Sequence, residues 1–386
     1  MSDRSTISVA SLSYQVTRVF SLLLFSVILV SHIFAFDRSL NGAESQLKVC
    51  PTGCPYSSPQ RAITAARAGD TVIFGTGEYQ LNLTVEKSLE LRTERGGEAV
   101  IQPERGGAAL VIAPKGGEKI TVSVIGLTFS VSRNLNVDED RDETRAIYIQ
   151  GRSDVQFEDV FLTGNFGCGL HLEGSGRADL FNSTISQNRK AICLEGGARL
   201  TVRESEISGN GIFLKGSAEL EFENSTLSNH HRTSLRLEDS SRASITSTKI
   251  SICETGVWAS ENSTLELRES KISHAGDGVL LRGRSQARIR DVHFSNCTSG
   301  LELREEARAF GEELEIVKND HGVSLFDSAW LELRRSRLAL NDLGLRAEIG
   351  PRGKVLGCSV RFFRNVEGDI EGLGKGEREK LRDRCK

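Results

Sequence analysis

From Ala146 to about Asn365, apolar and polar positions return on a fixed beat. A four-residue phrase recurs with its second and fourth residues apolar, as in Gly169-Leu-His-Leu172, Ala191-Ile-Cys-Leu194, Gly278-Val-Leu-Leu281 and Gly322-Val-Ser-Leu325. Its first residues, numbers 146, 169, 191, 211, 234, 256, 278, 300, 322 and 344, are separated by 23, 22, 20, 23, 22, 22, 22, 22 and 22 residues. A period this regular marks a solenoid. Within one period the apolar positions alternate in three short runs. The unit at Ala191 shows Ile192 and Leu194, then Leu200 and Val202, then Ser205 and Ile207. Alternation with period two predicts strands, and no run carries the 3.6 period of a helix.

Three strands per rung, with about 22 residues in each rung, predict an all-β, single-stranded, right-handed parallel β-helix. Two polar ladders support the register. Ser183, Ser205, Ser225, Thr248, Ser270 and Ser336 share one offset, where a small residue lets the coil turn inward. Asn165, Asn188, Asn210, Asn319 and Asn341 share another. There Asn is expected to supply the left-handed backbone of a corner and amides that hydrogen-bond from rung to rung. These polar residues are read as structural, not as a catalytic set.

The chain begins with residues 1–43, where a polar stretch containing two arginines, Arg4 and Arg18, leads into the apolar run Val19–Phe36. This reads as a signal peptide or signal anchor, so the protein is expected to be secreted, periplasmic or on the cell surface. Its eight cysteines suit that compartment. Cys50 with Cys54, and Cys358 with Cys385, are expected to pair. Cys253 and Cys297 lie two rungs apart, roughly 9–10 Å, too far to bond. Cys168 and Cys193 stay open. In residues 44–69, Ser58 and Pro59 start a short helix with Ile63 and Ala66 on one face, expected to plug the open end of the coil. The coil itself is expected over residues 70–365, with a polar tail over 366–386.

Tyr56 to Arg92, with a helix followed by Gly69-Asp-Thr-Val72, the Gly77-Glu-Tyr79 turn and Lys87-Ser-Leu-Glu-Leu91, resembles the opening of exported β-helix proteins of the pectin-lyase-like superfamily. The later rungs are similar to that superfamily's carbohydrate-binding and sugar-hydrolase repeats. The resemblance covers most of residues 50–365 and implies the fold. It does not fix an activity, because this scaffold carries many chemistries.

Net charge (−3) and the absence of a basic stripe exclude nucleic acid as the expected partner. The third residue of each phrase is expected to face solvent, giving a row through Tyr148, His171, Cys193, Phe213, Arg236, Trp258, Leu280, Glu302, Ser324 and Arg346. The next outward row runs through Glu173, Glu195, Lys215 and Glu238. Successive rungs lie roughly 5 Å apart, close to the repeat of a sugar chain. Tyr148, His171, Phe213 and Trp258 are therefore expected to contact a polysaccharide or surface glycan, without turnover.

The enzymatic alternative is a polysaccharide lyase or glycoside hydrolase acting on an acidic polysaccharide. A hydrolase would use Glu173 and Glu195 as a carboxylate pair, whereas a lyase would take Lys215 or Arg236 as its base, with the glutamates of the patch from Glu173 to Glu238 holding calcium. A purely structural surface protein is the third option. The superfamily's catalytic signatures, such as Asp-Asp with Gly-His-Gly or Asp-Pro-His-Asp, are absent from the sequence. No cofactor is expected. Asp138, Glu139, Asp140 and Asp142, in the charged insertion Arg133–Arg145, offer calcium ligands, but a solvated loop over one side of the coil fits that run better.

Overall fold

The computed structural model describes residues 45–104, 107–130, 144–164 and 167–385. The apolar run Val19–Phe36, the acidic group Asp138, Glu139, Asp140 and Asp142, and Asn165 lie outside these residues. Among the described residues no helix is long and apolar enough to cross a membrane.

Ser45–Lys386 is one compact unit, an all-β parallel solenoid of about 14 turns with two short helices. Among the described residues every strand pairing is parallel, and strands stack from turn to turn in ladders. The first holds Arg145–Ile149, Cys168–Gly174, Lys190–Gly196, Ile212–Leu214 and Thr233–Leu237. The second holds Ser153–Glu158, Arg177–Phe181, Arg199–Arg203 and Glu219–Glu223. The third holds Phe161–Thr163, Thr184–Ser186 and Glu206–Ser208. Pairing reaches beyond the expected 70–365. Gln46–Val49 pairs with Thr71–Phe74, and Gly368–Glu371 pairs with Leu343–Ile349.

The core is the inward row of each ladder. Ile147, Leu170, Ile192, Ile212, Leu235, Val257 and Val279 are fully buried, one above another. The repeated glycine has a steric reason. A Cβ on Gly278 would stand 2.5 Å from the carbonyl oxygen of Gly300, and one on Gly300 would stand 2.7 Å from that of Gly322. At these rungs the column is packed backbone to backbone and leaves no room for a methyl, whereas Ala146, Ala191 and Ser234 fill the same offset elsewhere.

Both polar ladders are present, although the asparagines do not themselves supply the left-handed corners. Ser183 Oγ accepts from the Val160 amide at 3.1 Å and donates to the Phe181 carbonyl at 2.7 Å. Ser205, Ser225, Ser270 and Ser336 receive the same kind of rung-to-rung bond. The asparagines also stack as expected, Asn319 Nδ2 donating to Asn341 Oδ1 at 3.1 Å and Asn341 Nδ2 to Asn365 Oδ1 at 3.2 Å. The left-handed corner residues are instead their predecessors, Gln187, Lys318, Leu340 and Arg364. Asn is selected here because its buried amide satisfies the backbone groups a corner leaves open, not because of its own φ. His230 and Cys297 are buried in the middle of this column, Cys297 donating its backbone amide to Asn319 Oδ1 at 2.9 Å.

The disulfides are Cys50–Cys54, Cys358–Cys385 and Cys168–Cys193, and Cys253 and Cys297 are free. The helix Pro59–Ala65 starts at Ser58, whose side chain accepts from the Arg61 amide, and buries Pro59, Ala62 and Ile63. A second helix, Lys375–Arg382, buries Leu381.

Candidate functional site

The outward row of the first ladder has the predicted register. Tyr148 pairs with His171, His171 with Cys193, Cys193 with Phe213, Phe213 with Arg236 and Arg236 with Trp258. Leu280, Glu302, Ser324 and Arg346 continue it. Glu173 and Glu195 are paired in the second outward row.

Facing outward is not the same as being exposed. His171, Cys193 and Ser324 are buried, and Tyr148, Phe213 and Trp258 are only half-exposed. The reason is the company each keeps on its own rung or the next. Arg145 lies over the Tyr148 ring at 4.7 Å, Lys190 over Phe213 at 5.6 Å and Arg236 over Trp258 at 3.7 Å. Long cationic side chains cover apolar surface while their charged heads stay wet. Cys193 is covered because it bonds diagonally to Cys168, which is aligned with Lys190 on the same rung as Cys193.

Two clusters follow. In the first, the Tyr148 hydroxyl donates to Glu173, and the His171 ring lies 5.0 Å from the Tyr148 ring. His171 Nε2 is 3.6 Å from Glu195 Oε1, and neither ring nitrogen has a hydrogen bond. Burial, then Arg145, holds the imidazole below its ordinary pKa against the pull of Glu195 and Glu173. Burial and the bond to Glu173 push the Tyr148 hydroxyl up. His171 is thus a neutral, dry imidazole between two exposed carboxylates.

In the second cluster Arg236 Nε donates to Glu238 at 2.6 Å while its guanidinium stacks on Trp258. Arg236 is held by both partners, and the Trp258 indole N–H is buried without a hydrogen-bond acceptor. A cation this engaged is a poor proton acceptor, so Arg236 suits electrostatic holding better than base catalysis. Lys215 is exposed.

The sequence reading passed over Asp277. It precedes the repeated glycine of its rung, outside both outward rows. Burial, reinforced by the charge of Glu302, raises its carboxyl to about 6, with Arg304 opposing. Glu302 accepts a hydrogen bond from Arg304 Nε, and the Arg304 guanidinium lies 4.5 Å over Phe326. A carboxyl whose pKa is lifted toward neutrality near a second carboxylate is an arrangement that acid–base chemistry uses. Only the charge around it could have flagged Asp277, and that charge comes from another rung. Among the described residues no three His, Cys, Asp or Glu side chains converge on a point where a metal ion would sit.

The family model described as "Right handed beta helix region" matches residues 145–276 and 240–366. Among solved structures, tailspike protein 3 of bacteriophage CBA120 is similar, at 13% identity and a TM-score of 0.62. The match covers 83% of this chain and 57% of the tailspike, so the chain spans little more than half of that protein. The periplasmic alginate epimerase AlgG is also similar, at 11% identity and a TM-score of 0.53, covering 78% of this chain and 77% of the epimerase. At such identities the likeness is one of fold. No curated protein matches the chain.

Proposed function

The chain belongs to the right-handed β-helix family, of the pectin-lyase-like kind, and on that premise we propose that it is an exported protein that holds a polysaccharide or cell-surface glycan along the outer face of its first ladder, without turning it over. The observation that carries this reading is the unbroken in-register row from Tyr148 to Arg346. It sets one side chain per rung at roughly 4.8 Å spacing, matching a polymer that repeats at a similar distance. Cations lie over the aromatic rings, which favours an anionic glycan. That a protein of this fold acts on alginate is consistent with the reading.

The same reading takes residues 1–43 as an export signal or anchor and the helix Pro59–Ala65 as a plug on the first turn. Each turn of the coil, 70–365 with its short extensions, then carries three strands, and 366–386 is a closing tail. Three disulfides suit an oxidising compartment.

A second reading, a hydrolase or lyase acting on an acidic polysaccharide, draws on the Asp277 carboxyl, whose pKa is raised to about 6 near Glu302, and on the in-register pair Glu173 and Glu195. One experiment separates the readings. The purified protein is passed over immobilised plant, algal and bacterial polysaccharides, recording retention and the release of reducing or unsaturated ends. Retention without release, lost in Trp258→Ala and Phe213→Ala, supports the binding reading. Release that stops in Glu173→Gln, Glu195→Gln or Asp277→Asn supports the enzyme. Neither signal defeats both and leaves a structural role.

A further inference from the structure

The second ladder carries a feature that the glycan reading of the first does not use. Its outward rows run Thr264, Gln286, Arg308, Trp330 and Glu266, Arg288, Phe310, Glu332, in register. Between them opens a cleft of about 260 Å³ lined by Gln286, Arg288, Arg308, Phe310 and Trp330, with Thr264 and Glu266 at its rim. This is below the ~300–1,000 Å³ of a site that encloses a whole small molecule. It suits one or two rings of a chain lying across the surface.

The charges in the cleft are not balanced internally. Glu266, aligned with Arg288, is held by Arg268 at 3.1 Å. Glu332 accepts from Arg334 Nε at 2.7 Å. Among the described residues Arg288 and Arg308 are exposed and make no ion pair or side-chain hydrogen bond. Exposed arginines elsewhere on this ladder, such as Arg199 and Arg290, do find carboxylates. The two unpaired guanidiniums are diagonal neighbours on adjacent rungs, roughly 8 Å apart at their backbones.

Trp330 stands beside Arg308 in the same row. Its ring is half-exposed, and among the described residues no cation lies over it, in contrast to Tyr148, Phe213 and Trp258. Phe310 has Arg334 at 5.5 Å from its ring centre. An uncovered indole with one planar, unpaired cation on the adjacent rung and a second one rung beyond it joins a stacking surface to bidentate anion donors.

We propose that this cleft is a second carbohydrate site, for an anionic sugar bearing a carboxylate or a sulfate ester. One ring lies on Trp330, and its anionic groups are received by Arg308 and Arg288. The site lies on a different ladder from the row described above and stands whether or not that row binds anything.

The chain has two tryptophans, Trp258 and Trp330, one on each face. Protein labelled with 5-fluorotryptophan therefore gives one ¹⁹F resonance per face, assigned with Trp330→Phe. The probes are trigalacturonate, a κ-carrageenan hexasaccharide and the neutral cellohexaose. The expected result is a saturable shift of the Trp330 resonance with trigalacturonate, the carrageenan fragment or both, which also identifies the anion. Cellohexaose is expected to bind at least tenfold more weakly. Arg288→Gln with Arg308→Gln is expected to weaken the anionic probe at least tenfold. A Trp330 resonance unmoved by both anionic probes overturns the proposal. So does equal binding of cellohexaose, or full affinity in the double-arginine variant. The Trp258 resonance reports on the first face separately, so the two readings fail independently.

Discussion

The guanidinium of Arg236 lies 3.7 Å from the centre of the Trp258 indole, one rung further along the coil, and the same guanidinium pairs with Glu238. One cation therefore both covers the aromatic ring and neutralises the nearest carboxylate. Replacing it with methionine keeps the stem and removes the charge. Arg236→Met is expected to cost about 0.5–1 kcal/mol of stability, read as a small fall in melting temperature. It is expected to weaken retention on anionic polysaccharide several-fold while neutral polysaccharide is retained as before. Unchanged retention on both would show that this cation takes no part in binding.

Asp277 gives the fold a pH dependence of definite sign. Its folded pKa, about 6, stands above the ordinary 3.8, so the folded state holds the proton more tightly than the unfolded one. Its contribution is full below about pH 4 and is lost as pH rises through 6. A shift of this size corresponds to roughly 3 kcal/mol before screening. The group is only partly buried, so about 1 kcal/mol is the expected effect. Asp277→Asn should be more stable than the parent at pH 7.5 and nearly equal to it at pH 4, as measured by denaturant unfolding.

His230 acts in the opposite sense. Burial lowers its pKa to about 4, against a weaker pull from the Asn210 and Ile207 backbone. The unfolded chain binds this proton first, so the contribution is full above pH 6.5 and is lost between 6.5 and 4. His230→Asn, which restores the residue type of the column, is expected to flatten the acid limb of the melting-temperature profile. An unchanged limb would place the acid sensitivity elsewhere.

The glycine column sets a steric limit. Gly278→Ala puts a methyl 2.5 Å from the Gly300 carbonyl oxygen and 2.9 Å from the Phe294 ring. Neither neighbour is a flexible chain end, so a loss of about 1–3 kcal/mol is expected. Gly116→Ala, with open space around it but a φ of +65°, is the control and is expected to cost no more than about 1 kcal/mol.

The thiols can be counted directly. Alkylation of the denatured, unreduced protein should label Cys253 and Cys297 and leave Cys168 joined to Cys193. In the folded protein burial raises the Cys297 thiol to about 11 and also raises Cys253, so both are expected to react slowly until the chain unfolds. Labelling of Cys168 would break the assigned pattern.

How much of this was legible in the chain follows from what a repeat can encode. A spacing of 20 to 23 residues between phrases settles which residues lie above one another, because parallel rungs in register have no other way to stack. Thus the row from Tyr148 to Arg346, the serine ladder, the stacked asparagine amides and the separation of Cys253 from Cys297 were all open to counting. The loop Cys50–Cys54 was short enough to read, and Cys358–Cys385 required only that the tail return to the last rungs.

Exposure was not legible. Period two says on which side of a strand a side chain leaves, but not what a longer neighbour one rung away does with the space. Arg236 over Trp258, the burial of His171 and the diagonal bond from Cys193 to Cys168 depend on side-chain length and direction across rungs. So does the raised pKa of Asp277, whose environment is assembled from Glu254 on the preceding rung and from Glu302 and Arg304 on the following one. The sequence by itself determined the coil and its register, because backbone pairing repeats. Only the tertiary structure decided which outward positions are covered, charged or open, because those properties arise between side chains about 22 residues apart that share no local pattern.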